Sequence, residues 1–294
     1  MERRVLTPSL LELIRRTSAE LPDDVASAIR KSLRKEAKNT TGRYAMEIIK
    51  QNIEMAKRKS QPLCQDTGSI LFFVTGPKTL DQEAFKRAAE EATVEATKIG
   101  YLRQNSVDSI TGKNSGTNLG PGSPTFHFEQ GKGTKTQVRL ILKGGGCENV
   151  GAQYSLPDTR IEAGRDLAGV EKCILDQVNQ AQGKGCGPGV LGVTIGGDRA
   201  TSYLHSKEQL LRMLDDKNPN PVLAKLEKRV MDRANSLGIG PMGFGGNTTL
   251  LGCKIGVMNR LPASYFVSIS YMCWAYRRQG VTLDTRGRIR EWLY

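Results

Sequence analysis

Glycine most constrains this chain: 32 of its 294 residues are Gly, and they are gathered into a few runs instead of being spread evenly. The runs close short apolar stretches of strand length. Ile70–Val74 ends at Gly76-Pro77, residues 137–142 run straight into KGGG, and Val190–Ile195 ends at Gly196-Gly197. A glycine run at the end of a short apolar stretch stops a strand in a tight loop. Between these stretches the apolar residues recur with helical period. Leu10, Leu13, Ile14, Leu21, Val25, Ile29 and Leu33 predict helix over 8–38, and Ala45, Ile48, Ile49, Ile53 and Met55 over 41–59. Further helices are expected at 80–99 with Asp81 as cap, at 158–182, at 199–214 and at 220–236. A strand is expected at 124–129, and two more in the last third after a glycine-rich turn. Residues 102–122 are polar, glycine-rich and without period, which is the pattern of a functional loop. The reading is an α+β fold, mixed β-sheets flanked by helices with loops at strand ends, as one domain over 1–294. N-terminal helices would fill 8–59 and a site-bearing core 60–280.

Hydrophobic residues make up 38% of the chain and charged residues 25%, enough for a large core without disulfide support. Lys and Arg outnumber Asp and Glu by 43 to 30, a net charge of +13. The basic residues are scattered in pairs such as Arg15-Arg16 and Arg277-Arg278, with no run of like charge and no nucleic-acid motif. Solvated helix faces and a complementary acidic partner account for that balance, and nucleic acid does not. The N-terminus MERRVLTPSLLELIRR has no signal-peptide pattern, and no apolar run approaches the roughly 20 residues a membrane span needs. A cytoplasmic protein without membrane contact is expected, so its six cysteines meet a reducing compartment, where metal binding is favoured over disulfides.

Three of those cysteines stand at turn-like positions beside strands: Cys64 in CQDTG, Cys186 in GKGCGPG and Cys273 in YMCWAYRR at the end of the last expected strand. They lie more than eighty residues apart at each step, which is not the paired short spacing of a zinc site. A lone cysteine is usually a small buried hydrophobe. Their turn-like flanks, glycine-bordered at Cys64 and Cys186, distinguish these three, because such loops let backbone N–H groups approach the sulfurs of a cluster. Cys173 in VEKCILDQV suits a buried helix face, Cys253 in LLGCKIGV suits a strand core, and Cys147 in GGGCEN stays open between the two roles.

The order of motifs carries a resemblance. CQDTG before an aromatic strand, KGGG-x-E-N, a glycine-flanked Cys before a strand ending in IGG, GFGGNTT and CWAYRR follow one another over residues 10 to 280. In that order they resemble the α subunit of class I iron–sulfur fumarate hydratases and L(+)-tartrate dehydratases. The resemblance implies a 4Fe-4S cluster ligated by Cys64, Cys186 and Cys273, one iron being left without a protein ligand. It implies Asp66 as acid–base residue, and Gln65, Arg103 and the backbone of Gly146 as substrate contacts. Lys143, Glu148 and Asn149 lie nearby in sequence as lesser candidates. The implied reaction is reversible hydration of a small dicarboxylate, fumarate/malate first, with tartrate or a related hydroxy acid as alternative. A β-type subunit would supply the second domain that single-chain relatives carry, as a heterotetramer or a dimer of such pairs.

One position departs from the family. Relatives carry a histidine in a His-Thr-Ala-Ser-like stretch before the last cysteine, and counting back from Cys273 puts Leu261 there. The only histidines, His127 and His205, fall in a strand and a helix that match no motif. Leucine moves no proton. Another group then takes the role, or the substrate differs, or the chain is a cluster-bearing subunit without catalysis of its own. The stretch TGKNSGTNLGPGSP also differs from the fumarase pattern, which points to an altered substrate pocket.

Overall fold

Leu21 and Pro22 interrupt the first run of helical period. The computed structural model, which describes residues 1–294, accordingly splits it into α1 (Arg3–Ala19) and α2 (Asp23–Lys35) instead of one helix over 8–38. Helix α3 spans Thr41–Lys59. The chain divides into two compact units, each with its own sheet. The first comprises 1–23, 51–145 and 275–294; the second comprises 24–50 and 146–274.

The first unit carries a five-stranded sheet in the order β2-β1-β3-β8-β9. Its strands are β1 (Ser69–Gly76), β2 (Thr125–Gln130), β3 (Thr136–Lys143), β8 (Arg278–Leu283) and β9 (Ile289–Trp292). Strands β1 and β2 run parallel, and the other neighbours pair antiparallel. Alternate residues Ile70, Phe72 and Val74 of β1 join the core formed with α1 and with α4 (Gln82–Lys98). Helix α4 presents Ala88, Ala89, Ala92 and Ala96, all fully buried. Such small residues let its axis lie close to α1 and leave room for aromatic rings. Phe85 packs edge-on against Phe72, Phe126 and Phe128, and Phe72 stacks on Phe126 at 5.3 Å. Asp81 caps α4 by accepting the Ala84 N–H, as its sequence position predicts.

The second unit carries a four-stranded sheet in the order β4-β7-β5-β6. Its strands are β4 (Ala152–Ser155), β5 (Gly189–Ile195), β6 (Leu250–Val257) and β7 (Phe266–Met272). Strand β5 lies between a parallel β6 and an antiparallel β7 and is buried throughout, which explains its unbroken apolar run. Helix α7 (Arg199–Gln209) packs on β5 and β7, α8 (Pro221–Ser236) packs on β6, and α6 (Leu167–Ala181) lies beside α8.

Mixed sheets flanked by helices are thus the fold, and the departures from the sequence reading are local. Helix was expected from residue 158, but Asp158 caps a single 3-10 turn and Glu162 turns left-handed at φ 52°. The helix starts afresh at Leu167 behind the Asp166 cap. Residues 145–149 form a short helix, α5 (Gly145–Asn149), which three glycines concealed. Strands β8 and β9 escaped notice because RQGVTL is polar, although it is buried throughout between β3 and β9. The pair Arg277-Arg278 was expected on a solvated face and is instead 1% and 0% exposed; Arg278 stacks over Tyr276 and Tyr294.

Candidate active site

In the first unit the turn before β1 sets the geometry. Cys64 is a half-buried free thiol, and the Asp66 N–H donates to its Sγ at 3.4 Å. The Asp66 carboxylate is held at both oxygens: Oδ1 accepts from Asn105 Nδ2 at 2.7 Å, and Oδ2 accepts from the Gly145 N–H at 2.6 Å. A Cβ on Gly144 would stand 2.9 Å from Asp66 Oδ2 and 3.8 Å from Arg277 Nη2, so carboxylate and guanidinium both approach that one bare Cα. Arg277 is buried, with Nε and Nη1 short of acceptors. A desolvated cation with unmet donors raises the local positive potential and favours an anion beside it.

Thr67 ties the next loop to this turn. Its hydroxyl accepts the Arg103 N–H at 2.9 Å and donates to the Arg103 carbonyl at 2.7 Å, leaving the Arg103 guanidinium exposed. The loop at 102–122 is not structureless. Buried Asn118 accepts the Asn105 N–H and donates to Thr97 Oγ1 and the Arg103 carbonyl, and Asp108 caps the turn at Ile110 and Thr111. Between loop and turn lies a cavity of about 330 Å³ whose lining includes Gly68, Ser69, Asn105, Ser106, Ser123 and Gly145. The two groups that hold Asp66 thus also face the cavity. Gln65 is exposed on the same turn.

In the second unit the loop from Gly183 to Gly189 presents Cys186 in a left-handed conformation, φ 52°. The Trp274 N–H donates to the Cys186 carbonyl at 3.2 Å, joining that loop to the residue after Cys273. Gly146 lies against the same loop, its would-be Cβ 3.5 Å from the Lys184 carbonyl. Tyr271 packs against the glycines of the Cys186 loop. Burial pushes its phenol up first, and the charges of the Cys273, Cys147 and Cys186 thiols push it further. The unit therefore joins the Cys186 and Cys273 segments by one backbone hydrogen bond, and Cys147, which sequence reasoning left open, is buried at 3%. Glu148 is tied to Lys207 at 2.8 Å, a structural pairing.

The other cysteines differ in kind. Cys173 is fully buried on α6 and its thiol is pushed up to about 12, by desolvation first. Cys253 on β6 is also buried and is raised by the same cause. Thiolate is the ligating form, so both are poor donors.

The family model for fumarate hydratase (Fumerase) matches residues 7–282 of this sequence. The chain belongs to that family. It is 52% identical over 293 residues to a Geobacillus stearothermophilus protein named "Putative fumarate hydratase class I", covering 98% of this chain and 57% of that relative. The chain thus spans little more than half the length of that relative. It is 34% identical over 285 residues to "Putative L(+)-tartrate dehydratase subunit alpha" of Methanocaldococcus jannaschii, covering 94% of this chain and 98% of that one. Against L(+)-tartrate dehydratase subunit alpha of Escherichia coli K12 the identity is 32% over 268 residues, 89% of this chain and 85% of the relative.

No three His, Cys, Asp or Glu side chains are gathered as ligands of a single ion. A polynuclear cluster spreads its thiolates apart by its own width, so fit is judged loop by loop. Cys64 accepts a backbone N–H at sulfur, and Cys186 stands on a glycine loop, only partly buried. Cys273 follows the end of β7, linked to that loop through Trp274. These are donor settings that suit iron–sulfur ligation.

Neither histidine stands free for proton transfer. His205 Nδ1 pairs with Thr194 Oγ1 at 2.9 Å and Nε2 with Gln209 Nε2 at 3.2 Å, while His127 stacks on Phe73 at 4.9 Å. Leu261 is 72% exposed in the turn before β7, and Cys273 follows the far end of that strand. A seven-residue strand is about 23 Å long, so within its own unit position 261 is remote from the Cys186–Cys273 group. Sequence reasoning missed Asn105, Thr67, Arg277 and Tyr271. Thr67, Tyr271 and Arg277 stood inside quoted motifs, CQDTG and YMCWAYRR, and Asn105 in the loop at 102–122, but only the structure gives them partners.

Proposed function

We propose that the chain is the cluster-bearing part of an iron–sulfur hydro-lyase that interconverts an unsaturated dicarboxylate and its hydroxy acid, fumarate and malate first, tartrate second. The observation that carries this reading is Asp66. Its carboxylate is fixed at both oxygens, one residue pair beyond a cysteine whose sulfur accepts the Asp66 N–H. Family membership and the names of the relatives support the reaction class.

Cys64, Cys186 and Cys273 would hold a 4Fe-4S cluster, which when bound supplies a Lewis acid that polarises the C–O bond to be broken or made. Asp66 takes the proton from the carbon beside a substrate carboxylate during dehydration and returns it during hydration. The Arg103 guanidinium suits bidentate grip of a carboxylate. Gln65 and the Gly146 backbone complete the contacts, and buried Arg277 favours an anionic substrate through its field. Relatives named as α subunits support a β-type partner. The net charge of +13 suits an acidic face on that partner. Six free thiols suit a reducing, cytoplasmic setting, and no helix is long and apolar enough to cross a membrane.

The test is anaerobic reconstitution of the chain with a β-type partner, followed by assay of fumarate, malate and tartrate turnover. Cys64→Ala, Cys186→Ala and Cys273→Ala should each lose iron and sulfide, and Cys173→Ala should keep both. Loss on Cys147→Ala with retention on Cys273→Ala would overturn the ligand set. Leu261 and the two occupied histidines favour one second reading, a cluster-bearing subunit without catalysis. Full iron content without turnover of any hydroxy dicarboxylate would establish it.

A further inference from the structure

The cavity of about 330 Å³ beside Asp66 has a polar lining without charge. Ser69, Asn105, Ser106, Asn118 and Ser123 supply its polar side chains, and no Asp, Glu, Lys, Arg or His lies in its walls. A carboxylate moved into such a space would shed water and meet no cation, so the cavity does not suit either acid group of a dicarboxylate. It fits a neutral group that gives and takes hydrogen bonds.

Some of these polar groups are already spent. Asn118 accepts the Asn105 N–H and donates to Thr97 Oγ1 and the Arg103 carbonyl, and the Ser123 hydroxyl donates to the Asn118 carbonyl at 2.8 Å. Ser106 is held by its backbone alone. Its carbonyl accepts the Ser115 N–H at 2.8 Å, and the next residue, Val107, bridges to Asn114. Its hydroxyl makes no hydrogen bond within the protein and stands 3.5 Å from the would-be Cβ of Gly120, facing the turn that Gly120 closes with Ser123. Asn105, one residue earlier, turns its amide N–H to the Asp66 carboxylate at 2.7 Å, which leaves its Oδ1 as a second acceptor. Asn105 and Gly145, which fix the two oxygens of Asp66, both stand in the cavity wall. The cavity therefore begins one hydrogen-bond length from the group that exchanges a proton with the substrate carbon. The remaining substituent of that carbon is a hydrogen in malate and a second hydroxyl in tartrate.

We propose that this cavity is a subsite for a hydroxyl on the carbon that exchanges its proton with Asp66, with Ser106 as the specificity-determining residue. The inference rests on the hydro-lyase reading above and names the residue that admits a dihydroxy diacid to it. A site that pairs a substrate hydroxyl discriminates against the analogue lacking it, because the site's own polar group is then left unmet. Water can enter an open cavity and keeps that discrimination modest. The test compares kcat/KM for tartrate and malate in the anaerobically reconstituted chain with its β-type partner. Ser106→Ala should lower the tartrate-to-malate ratio about three- to tenfold, the range of one neutral hydrogen bond. Ser115→Ala, on the same loop but outside the cavity wall, should leave the ratio as it was. Where tartrate alone is turned over, the same fall is read against Ser115→Ala. An unchanged ratio in Ser106→Ala, an equal fall in Ser115→Ala, or malate turnover without tartrate turnover in the unsubstituted chain overturns the inference and leaves the hydro-lyase reading standing. Turnover of neither acid by the iron-loaded chain overturns that reading, and the inference with it.

Discussion

Gly144→Ala probes how tightly Asp66 must be held. The new Cβ would lie 2.9 Å from Asp66 Oδ2, where ordinary contact begins at 3.4 Å, so the carboxylate must retreat by about half an ångström. That oxygen accepts the Gly145 N–H at 2.6 Å, and the retreat stretches or breaks the bond. A hydrogen bond to a charged group contributes about 1.5–3 kcal/mol when buried, and partial exposure here lowers that to about 1 kcal/mol. One kilocalorie is about fivefold in rate, and misplacement of a proton-transfer group adds to it, so kcat/KM should fall about five- to tenfold. The folded state should be little affected, within about 0.5 kcal/mol, because the displaced atom ends a short side chain free to turn toward the cavity. Gly145→Ala is the matched control. Its Cβ would stand 3.6 Å from the same oxygen, an ordinary contact, and its backbone N–H remains. Anaerobic kinetics with the β-type partner, with urea midpoints in parallel, should show a slow Gly144→Ala and a Gly145→Ala within about twofold of the unsubstituted chain. Equal activity in the two variants would refute the argument that the Gly145 N–H aims Asp66.

Asp66→Asn should lower kcat by about 10²–10⁴-fold, the usual contribution of a positioned acid–base group, with iron and sulfide unchanged; lost iron would move Asp66 from proton transfer to cluster retention. Phe85→Ala removes a fully buried ring that meets Phe72, Phe126 and Phe128 and should cost about 3–5 kcal/mol by urea denaturation. Asp176 is held low by the Arg160 hydrogen bond first and by Tyr154 after it. Its folded value lies below its unfolded one, so the stabilisation is present above about pH 4 and is lost as pH falls through the depressed value; Arg160→Gln should flatten urea midpoints over that acid range. Burial lowers His205, so the unfolded chain takes up its proton first; stability should fall as pH drops below about 6.5, and His205→Gln should lessen that fall.

Regular elements were legible where one residue pattern met one environment. Strand β5 reads directly from its apolar run because both faces are covered, and α4 reads from its period and its Asp81 cap. Strand β8 did not, because pairing on both edges buries RQGVTL without making it apolar, and buried Gln279 and Arg278 look like surface residues in sequence. The turn around Asp66 was legible as a motif, but its partners were not. Asn105 lies 39 residues away and Gly145 lies 79 away, and nothing local specifies either distance.

The cysteines show how far local sequence separates core thiols from the rest. A thiol becomes a ligand only if it can lose its proton, and burial opposes that. Cys173 sits mid-helix and Cys253 mid-strand, where flanking residues must be apolar and the backbone N–H groups are spent on secondary structure. Their thiols are pushed up by the same desolvation that made their flanks read as core. Cys64, Cys186 and Cys273 stand outside helices and strands, and one backbone N–H donates to the Cys64 sulfur. For Cys173 and Cys253, flank composition and proton affinity are thus two readings of one quantity, the desolvation of the sulfur. Cys147 was the one cysteine whose flanks gave no answer, because its glycines open a short helix instead of a loop, and the thiol is buried at 3%. Its ambiguity in sequence reflects a mixed environment in space: a buried thiol on a helix that begins at the glycine whose N–H holds Asp66.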